Sequence, residues 1–142
     1  YGVTVDEFQH EVYENPELTP KERRMKWLEI ERKYLPSRYY EEIPELDEGL
    51  FFYRQGHLFS VPFYYIDYTL AQVCAFQFWK KANENREKAW KEYLHLCRLG
   101  GTKPFLELVK EANLENPFED GTISNIVPEL RKYIDSVDAT KF

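Results

Sequence analysis

Apolar residues recur every three or four positions over most of this chain, and this spacing predicts a succession of amphipathic helices. The predicted helices span residues 3–13, 21–34, 63–82, 86–99, 103–112 and 122–137. Their ends coincide with residues that stop helices, among them Pro36, Gly100-Gly101 and Asn113. A chain of 142 residues has the size of one domain and can bury a core. The pattern therefore predicts an all-α fold, a bundle-like array of helices in which residues 1–142 form a single domain.

Capping residues mark the starts of three of these helices. Thr19 is followed by Pro20 and, three positions after the cap, by Glu22, which is the sequence of a capping box with proline at the first helical position. Asn85 and Thr102 are the predicted caps of the helices over 86–99 and 103–112. These signals make the helix starts more definite than apolar spacing alone would.

Three segments stay open at this stage. Residues 50–53 fit either a buried strand or a short helix, because periodicity cannot decide an apolar run this brief. Pro128 either kinks the last helix or marks its true start. Residues 37–49 are predicted to be a loop, with room for a short helical turn. We expect its acidic residues to form a solvated surface; they are Glu41, Glu42, Glu45, Asp47 and Glu48.

Charge and composition narrow the class of partner. The net charge is −6 and no run of Lys and Arg occurs, so we expect neither nucleic acid nor an anionic membrane as a partner. No apolar run approaches the length of a membrane span. Cys74 and Cys97 lie in helical patterns and are expected to be buried thiols of a cytoplasmic protein rather than a disulfide. Tyr34 and Tyr93 are also predicted to face a core.

Residues 56–68 hold the candidate chemistry. His57 lies in a short apolar loop, and Pro62 suits the first position of the helix that follows. Tyr65 and Tyr68 are three positions apart, so a helix starting at Pro62 would place both hydroxyls on one face. Phenols stay protonated at neutral pH, and two of them beside an imidazole suit a carbonyl oxygen that gains negative charge. The alternative is that these tyrosines pack and that His57 is a structural loop residue.

The same stretch resembles a known family. The segments 54–59, 62–68 and 71–72 are similar to the C-terminal catalytic region of the oligoendopeptidase F family, thimet oligopeptidase-type zinc metallopeptidases. Residues 8–13, 18–23 and 100–102 extend the resemblance over nearly the whole chain. It implies the C-terminal portion of a larger, mostly helical zincin-type peptidase that hydrolyses oligopeptides. It also implies that His57, Tyr65 and Tyr68 stabilise the tetrahedral intermediate, while Tyr64, predicted to face another direction, is a weaker candidate for substrate binding.

The metal-binding motif of such enzymes does not occur in this sequence. Family members bind zinc through His-Glu-x-x-His, and the nearest approach here is residues 10–14, which end in Glu14 instead of histidine. The other histidines, His57 and His95, show no metal-ligand spacing with His10. We therefore expect no metal site in this chain, zinc ligands elsewhere in an intact enzyme, and no hydrolysis by this chain alone.

The chain begins with Tyr1, and we expect it to be part of a longer protein whose N-terminal portion is its main partner. Without that portion, apolar surface on the helices should drive self-association. Two other classes stay open beside the peptidase. One is a helical protein-interaction module without chemistry, and the other is a degenerate relative that has lost the metal site.

Overall fold

The computed structural model describes residues 1–40 and 43–141, in which the regular elements are helices and no strand occurs. The α-helices are α1 (Gly2–Glu14), α2 (Pro20–Tyr34), α3 (Pro44–Asp47), α4 (His57–Ser60), α5 (Ile66–Glu84), α6 (Arg86–Leu99), α7 (Phe105–Glu111) and α8 (Val127–Ser136). Two 3₁₀ helices span Leu50–Arg54 and Ala139–Lys141. The predicted all-α fold is confirmed. Glu45, Asp47 and Glu48 are exposed as expected, whereas Glu41 and Glu42 lie outside the described residues.

The chain divides into two compact units. Unit 1 is Tyr1–Thr69 and unit 2 is Leu70–Phe142, so the boundary falls inside helix α5. The expectation that residues 1–142 form one domain stays a prediction. No helix of the described ranges is long and apolar enough to cross a membrane.

Unit 1 has an aromatic core between α1 and α2. Its buried residues are Val5 and Phe8 of α1, Trp27 and Ile30 of α2, and Phe52 of the first 3₁₀ helix. The Phe8 ring meets Trp27 edge-on, with centroids 5.2 Å apart, a favourable aromatic geometry. The apolar run at 50–53, left open from the sequence, is thus a short helix and not a strand, and its Phe52 is part of this core.

The loop before this 3₁₀ helix depends on a glycine. Gly49 has a φ of 86°, and a Cβ atom there would lie 2.3 Å from the backbone oxygen of Arg24. Both the left-handed conformation and the close approach exclude a larger residue. The chain can then pass near α2 and bring Phe52 into the core.

Most predicted helix ends are confirmed. The side chain of Thr19 accepts from the backbone N–H of Glu22, whose carboxylate accepts from the Thr19 backbone, so the capping box is complete. Asn85 caps α6 by accepting from the N–H of Lys88 at 3.0 Å. Asn113, two residues after the end of α7, has a φ of 52°, the left-handed conformation predicted for a helix stop.

The predicted cap at Thr102 is wrong. Helix α7 begins at Phe105, and Pro104 is the residue that precedes it, with a ψ of 155°. A residue before proline is pushed out of the helical region, which keeps Lys103 from starting the helix. At the last helix the open question has an answer: α8 starts at Val127 with Pro128 in its first turn, so the proline marks the start.

Unit 2 has a smaller core. Val109, Ala112 and Leu114 are its buried cluster, and Cys74 and Phe78 are among the half-buried residues packed against it. The buried amide of Gln77 joins the chain after α7, because it donates to the backbone oxygen of Glu115 at 3.0 Å and accepts from its N–H at 2.7 Å.

Some expected core residues lie at the surface. Tyr34, Tyr93 and Cys97 are exposed in their own units, so the prediction that they are buried is wrong for these units. Cys74 is half-buried, and both cysteines are free thiols, as expected. Tyr34 is held at the surface because its hydroxyl binds the carboxylate of Glu7.

Candidate functional site

The chain reaches the candidate site through a turn, where a continuous helix was predicted. After α4, the backbone turns at Pro62 and Phe63, and α5 begins only at Ile66. Phe63 has a φ of 59°, a left-handed conformation that a helix starting at Pro62 cannot contain. Tyr65 therefore precedes the helix and Tyr68 lies within it. The prediction that one helix face presents both hydroxyls is wrong.

Helix α1 holds this turn in place. The side chain of Gln9, only 3% exposed, accepts a hydrogen bond from the backbone N–H of Phe63 at 3.0 Å. The Phe63 ring packs against His10 and Tyr13, with centroids 5.0 and 5.1 Å away. A left-handed conformation costs a non-glycine residue about 1–2 kcal/mol, which these contacts offset. The turn is thus fixed by a residue far away in the sequence.

The turn gathers four rings into one group, the His57 cluster, which consists of His57, Tyr64, Tyr65 and Tyr68. The centroid of the His57 ring lies 5.2 Å from Tyr65 and 6.4 Å from Tyr68, and both contacts are edge-on. The rings of Tyr65 and Tyr68 are 5.2 Å apart. The three side chains that the sequence pointed to are therefore neighbours, although the backbone brings them together by a different route.

Tyr64 belongs to the same cluster. Its ring is stacked on His57 at a centroid distance of 5.9 Å and an interplanar angle of 3°, and it meets Tyr68 edge-on at 5.7 Å. The prediction that Tyr64 faces a different direction is wrong. That prediction assumed helical spacing, which does not apply to residues that precede α5.

The cluster has an exposed part and a packed part. Tyr64 and Tyr68 expose 45% and 54% of their surface, whereas His57 and Tyr65 are half-buried. Tyr65 also packs edge-on against Tyr1, with a centroid distance of 5.7 Å. The interaction with the Tyr64 hydroxyl raises the pKa of Tyr68 above its ordinary value. Tyr68 is therefore a neutral hydrogen-bond donor at physiological pH.

A short chain of polar contacts leads from His57 into unit 1. The amide nitrogen of Gln55 lies 2.5 Å from Nδ1 of His57. On its other side, the Tyr1 hydroxyl donates to Oε1 of Gln55 at 3.0 Å. Sequence reasoning missed Gln9, Gln55 and Tyr1 as parts of this site. Gln55 lies inside the segment 54–59, which resembles the family, but no spacing rule connects Tyr1 or Gln9 to His57.

The described residues do not form a zinc site. Within 1–40 and 43–141, no group of three His, Cys, Asp or Glu side chains lies close enough to share a metal ion. His10 pairs with Asp6 at 3.5 Å, and His95 pairs with Glu111 at 3.2 Å. A catalytic zinc needs three protein ligands, so any zinc bound near the His57 cluster would need ligands in addition to the described residues.

A helical fold with a partly exposed cluster of one imidazole and three phenols is compatible with part of a larger helical enzyme. The model of Peptidase family M3 matches residues 2–127. This chain belongs to peptidase family M3. No curated protein gives a significant match.

Solved structures agree with this family. An X-ray structure at 3.1 Å described as oligoendopeptidase F is 58% identical with a TM-score of 0.91, covering 100% of this chain and 25% of that one. PZ peptidase A with an inhibitor is 56% identical with a TM-score of 0.89, covering 97% and 25%. A protein from Bacillus anthracis str. Ames described as an oligoendopeptidase F is 48% identical with a TM-score of 0.75, covering 100% of this chain and 22% of that one. The chain thus spans about a quarter of these proteins.

Proposed function

We propose that this chain is the substrate-holding part of a longer zinc-dependent endopeptidase that hydrolyses short peptides in the cytoplasm. The observation that supports this most strongly is the convergence of His57, Tyr65 and Tyr68 in a chain of peptidase family M3. Peptide hydrolysis places negative charge on the scissile carbonyl oxygen, and fixed hydrogen-bond donors stabilise that charge. The O–H group of a phenol and the N–H group of an imidazole are donors of this kind.

Each side chain of the cluster has a proposed role. Tyr68 and Tyr65 donate to the oxygen of the tetrahedral intermediate, and His57 donates to the same oxygen or to the adjoining peptide backbone. Tyr64, stacked on His57 and exposed, contacts the substrate. The loss of one such donor typically lowers kcat by about 10²–10³, or about 3–4 kcal/mol.

Zinc would be bound by residues outside this chain, since the described residues supply no ligand set. When bound, zinc activates a water molecule for attack on the peptide. The chain by itself is therefore proposed to be inactive. Its partners are an oligopeptide substrate and the remaining portion of the same protein, which corresponds to about three-quarters of the matched chains.

A second candidate is a helical interaction module or a degenerate relative without the metal site. One observation favours it: unit 2 exposes large apolar side chains, which are Trp90, Tyr93, Phe105, Leu106, Phe118, Ile123, Tyr133 and Ile134. Exposed apolar surface of this kind is typical of a docking face. Under the first proposal, the rest of the longer peptidase covers this face.

Activity of the longer protein separates these candidates. The open reading frame upstream of Tyr1 is first inspected for His-Glu-x-x-His, and its product is then assayed for metal content and for cleavage of short peptides. We expect the motif, bound zinc, and cleavage that stops on chelation and returns with zinc. A longer protein that lacks the motif, or that binds zinc but cleaves no peptide, would contradict the proposed function and favour the second candidate.

A further inference from the structure

The contact between Gln55 and His57 bears on which ring nitrogen carries the histidine proton. A neutral imidazole has one N–H donor and one acceptor nitrogen, and the hydrogen bond at one nitrogen decides which is which. Gln55 places its amide nitrogen 2.5 Å from Nδ1. An amide N–H₂ group only donates, so Nδ1 must accept and the ring proton must be on Nε2.

Tyr1 holds the other end of the Gln55 amide. Its hydroxyl donates to Oε1 of Gln55 at 3.0 Å, while the amide nitrogen faces His57. Burial raises the pKa of Tyr1, so its hydroxyl keeps the proton that it donates. Tyr1 is also held by packing, because its ring meets Trp27, Phe51 and Tyr65 edge-on. The group that holds Gln55 is thus attached to the core of unit 1.

The other groups that face His57 do not determine its tautomer. Its ring contacts are the neutral phenol rings of Tyr64, Tyr65 and Tyr68. Gln55 lies just before α4 on the same short segment as His57. In the described part of the chain, no carboxylate lies within ion-pair distance of the His57 ring. The Gln55 amide is therefore the group that selects the tautomer.

We infer that Gln55, held by Tyr1, is a positioning residue that keeps the proton of the neutral His57 imidazole on Nε2. In this form His57 offers one N–H donor to the substrate while Nδ1 is occupied. The consequence for peptide hydrolysis rests on the proposed function, but the tautomer itself does not. A carboxylate at position 55 would accept instead of donate, which would place a proton on Nδ1 and favour the imidazolium.

The test is NMR of the longer protein labelled with ¹⁵N-histidine, recorded against pH. The signals of His57 are those that disappear in His57→Asn. In the wild type we expect an unprotonated Nδ1 and a protonated Nε2. In Gln55→Glu, which keeps the side-chain shape, we expect Nδ1 to be protonated and the pKa of His57 to rise by about one unit or more. Gln55→Leu and Tyr1→Phe should each weaken the preference for the Nε2–H form.

The control is Asn83→Asp, the same change from amide to carboxylate at an exposed position of α5. It should leave the His57 signals and their titration unchanged.

Two results would overturn the inference. One is a wild-type His57 that carries its proton on Nδ1. The other is an unchanged His57 spectrum and titration in both Gln55→Glu and Gln55→Leu. Neither result depends on catalysis, so a longer protein without peptidase activity would refute the proposed function while the NMR result still decides the role of Gln55.

Discussion

The two units of this chain use aromatic residues differently. In unit 1, aromatic rings fill the core and continue without a break into the His57 cluster, since Tyr1 contacts both Trp27 and Tyr65. In unit 2, the buried cluster is aliphatic and small, and rings such as Trp90 lie at the surface. The candidate site therefore lies in the unit whose buried cluster is larger and aromatic. A site that must hold donors in fixed positions benefits from such rigid support.

This difference predicts that truncating the most buried tryptophan and the most exposed one changes the free energy of unfolding by unequal amounts. Trp27 is 0% exposed and Trp90 is 57% exposed. Trp27→Ala should lower the free energy of unfolding by about 3–5 kcal/mol, because it removes the centre of an aromatic core. Trp90→Ala should change it by less than about 1 kcal/mol. Chemical denaturation of the chain, followed by far-UV circular dichroism, measures both, and equal losses would contradict the contrast.

A second pair of variants compares helix starts in the two units. Thr19 completes a capping box at α2, whereas Thr102 makes no cap bond at α7. Thr19→Ala should cost about 1 kcal/mol of unfolding free energy, and Thr102→Ala only a few tenths. The measurement is the same denaturation experiment. A larger loss at Thr102 would mean that α7 is capped as the sequence pattern predicted.

These two threonines also show how far sequence reasoning reaches. Both precede a proline and a helix, but in the first case Pro20 follows the cap directly and Glu22 closes the box. In the second, Pro104 lies two residues after Thr102 and becomes the residue before the helix. Local signals therefore predicted the helices and most of their ends. The exact start of α7 depended on the conformation that Pro104 adopts.

The candidate site was predicted in composition but not in geometry. Helical spacing proposed Tyr65 and Tyr68 together and made Tyr64 the weaker candidate, yet all three meet at His57. The reason is the left-handed Phe63, which no local pattern indicates, because a bulky residue there depends on the Gln9 contact from α1. Contacts between residues about fifty positions apart lie beyond any periodicity argument.

A smaller effect concerns the acid stability of unit 1. Hydrogen bonds from Tyr34 and Lys33 hold the pKa of Glu7 below its usual value of 4.5. A carboxyl group with a lowered folded pKa stabilises the fold above its unfolded pKa, and this contribution is lost as pH falls through the folded pKa. In Glu7→Gln, the free energy of unfolding should therefore fall less steeply below about pH 4.5 than in the wild type. The difference should be less than about 1 kcal/mol, because the contact is at the surface.

Denaturation at several pH values between about 3 and 7 provides the measurement. Glu17→Gln, at an exposed glutamate before α2, is the control and should leave the acid limb as it is in the wild type. If both variants behave alike, the Glu7 contacts with Tyr34 and Lys33 do not stabilise unit 1.

The most direct test of the account is the kcat of Tyr68→Phe in the longer protein, because this change removes one hydroxyl from an exposed ring. We expect kcat to fall by about 10²–10³, with zinc content and thermal stability unchanged. Tyr39→Phe, which removes a hydroxyl from an exposed ring outside the cluster, should retain the wild-type kcat. A Tyr68→Phe enzyme with a kcat close to that of the wild type would contradict the claim that the His57 cluster holds the reacting carbonyl.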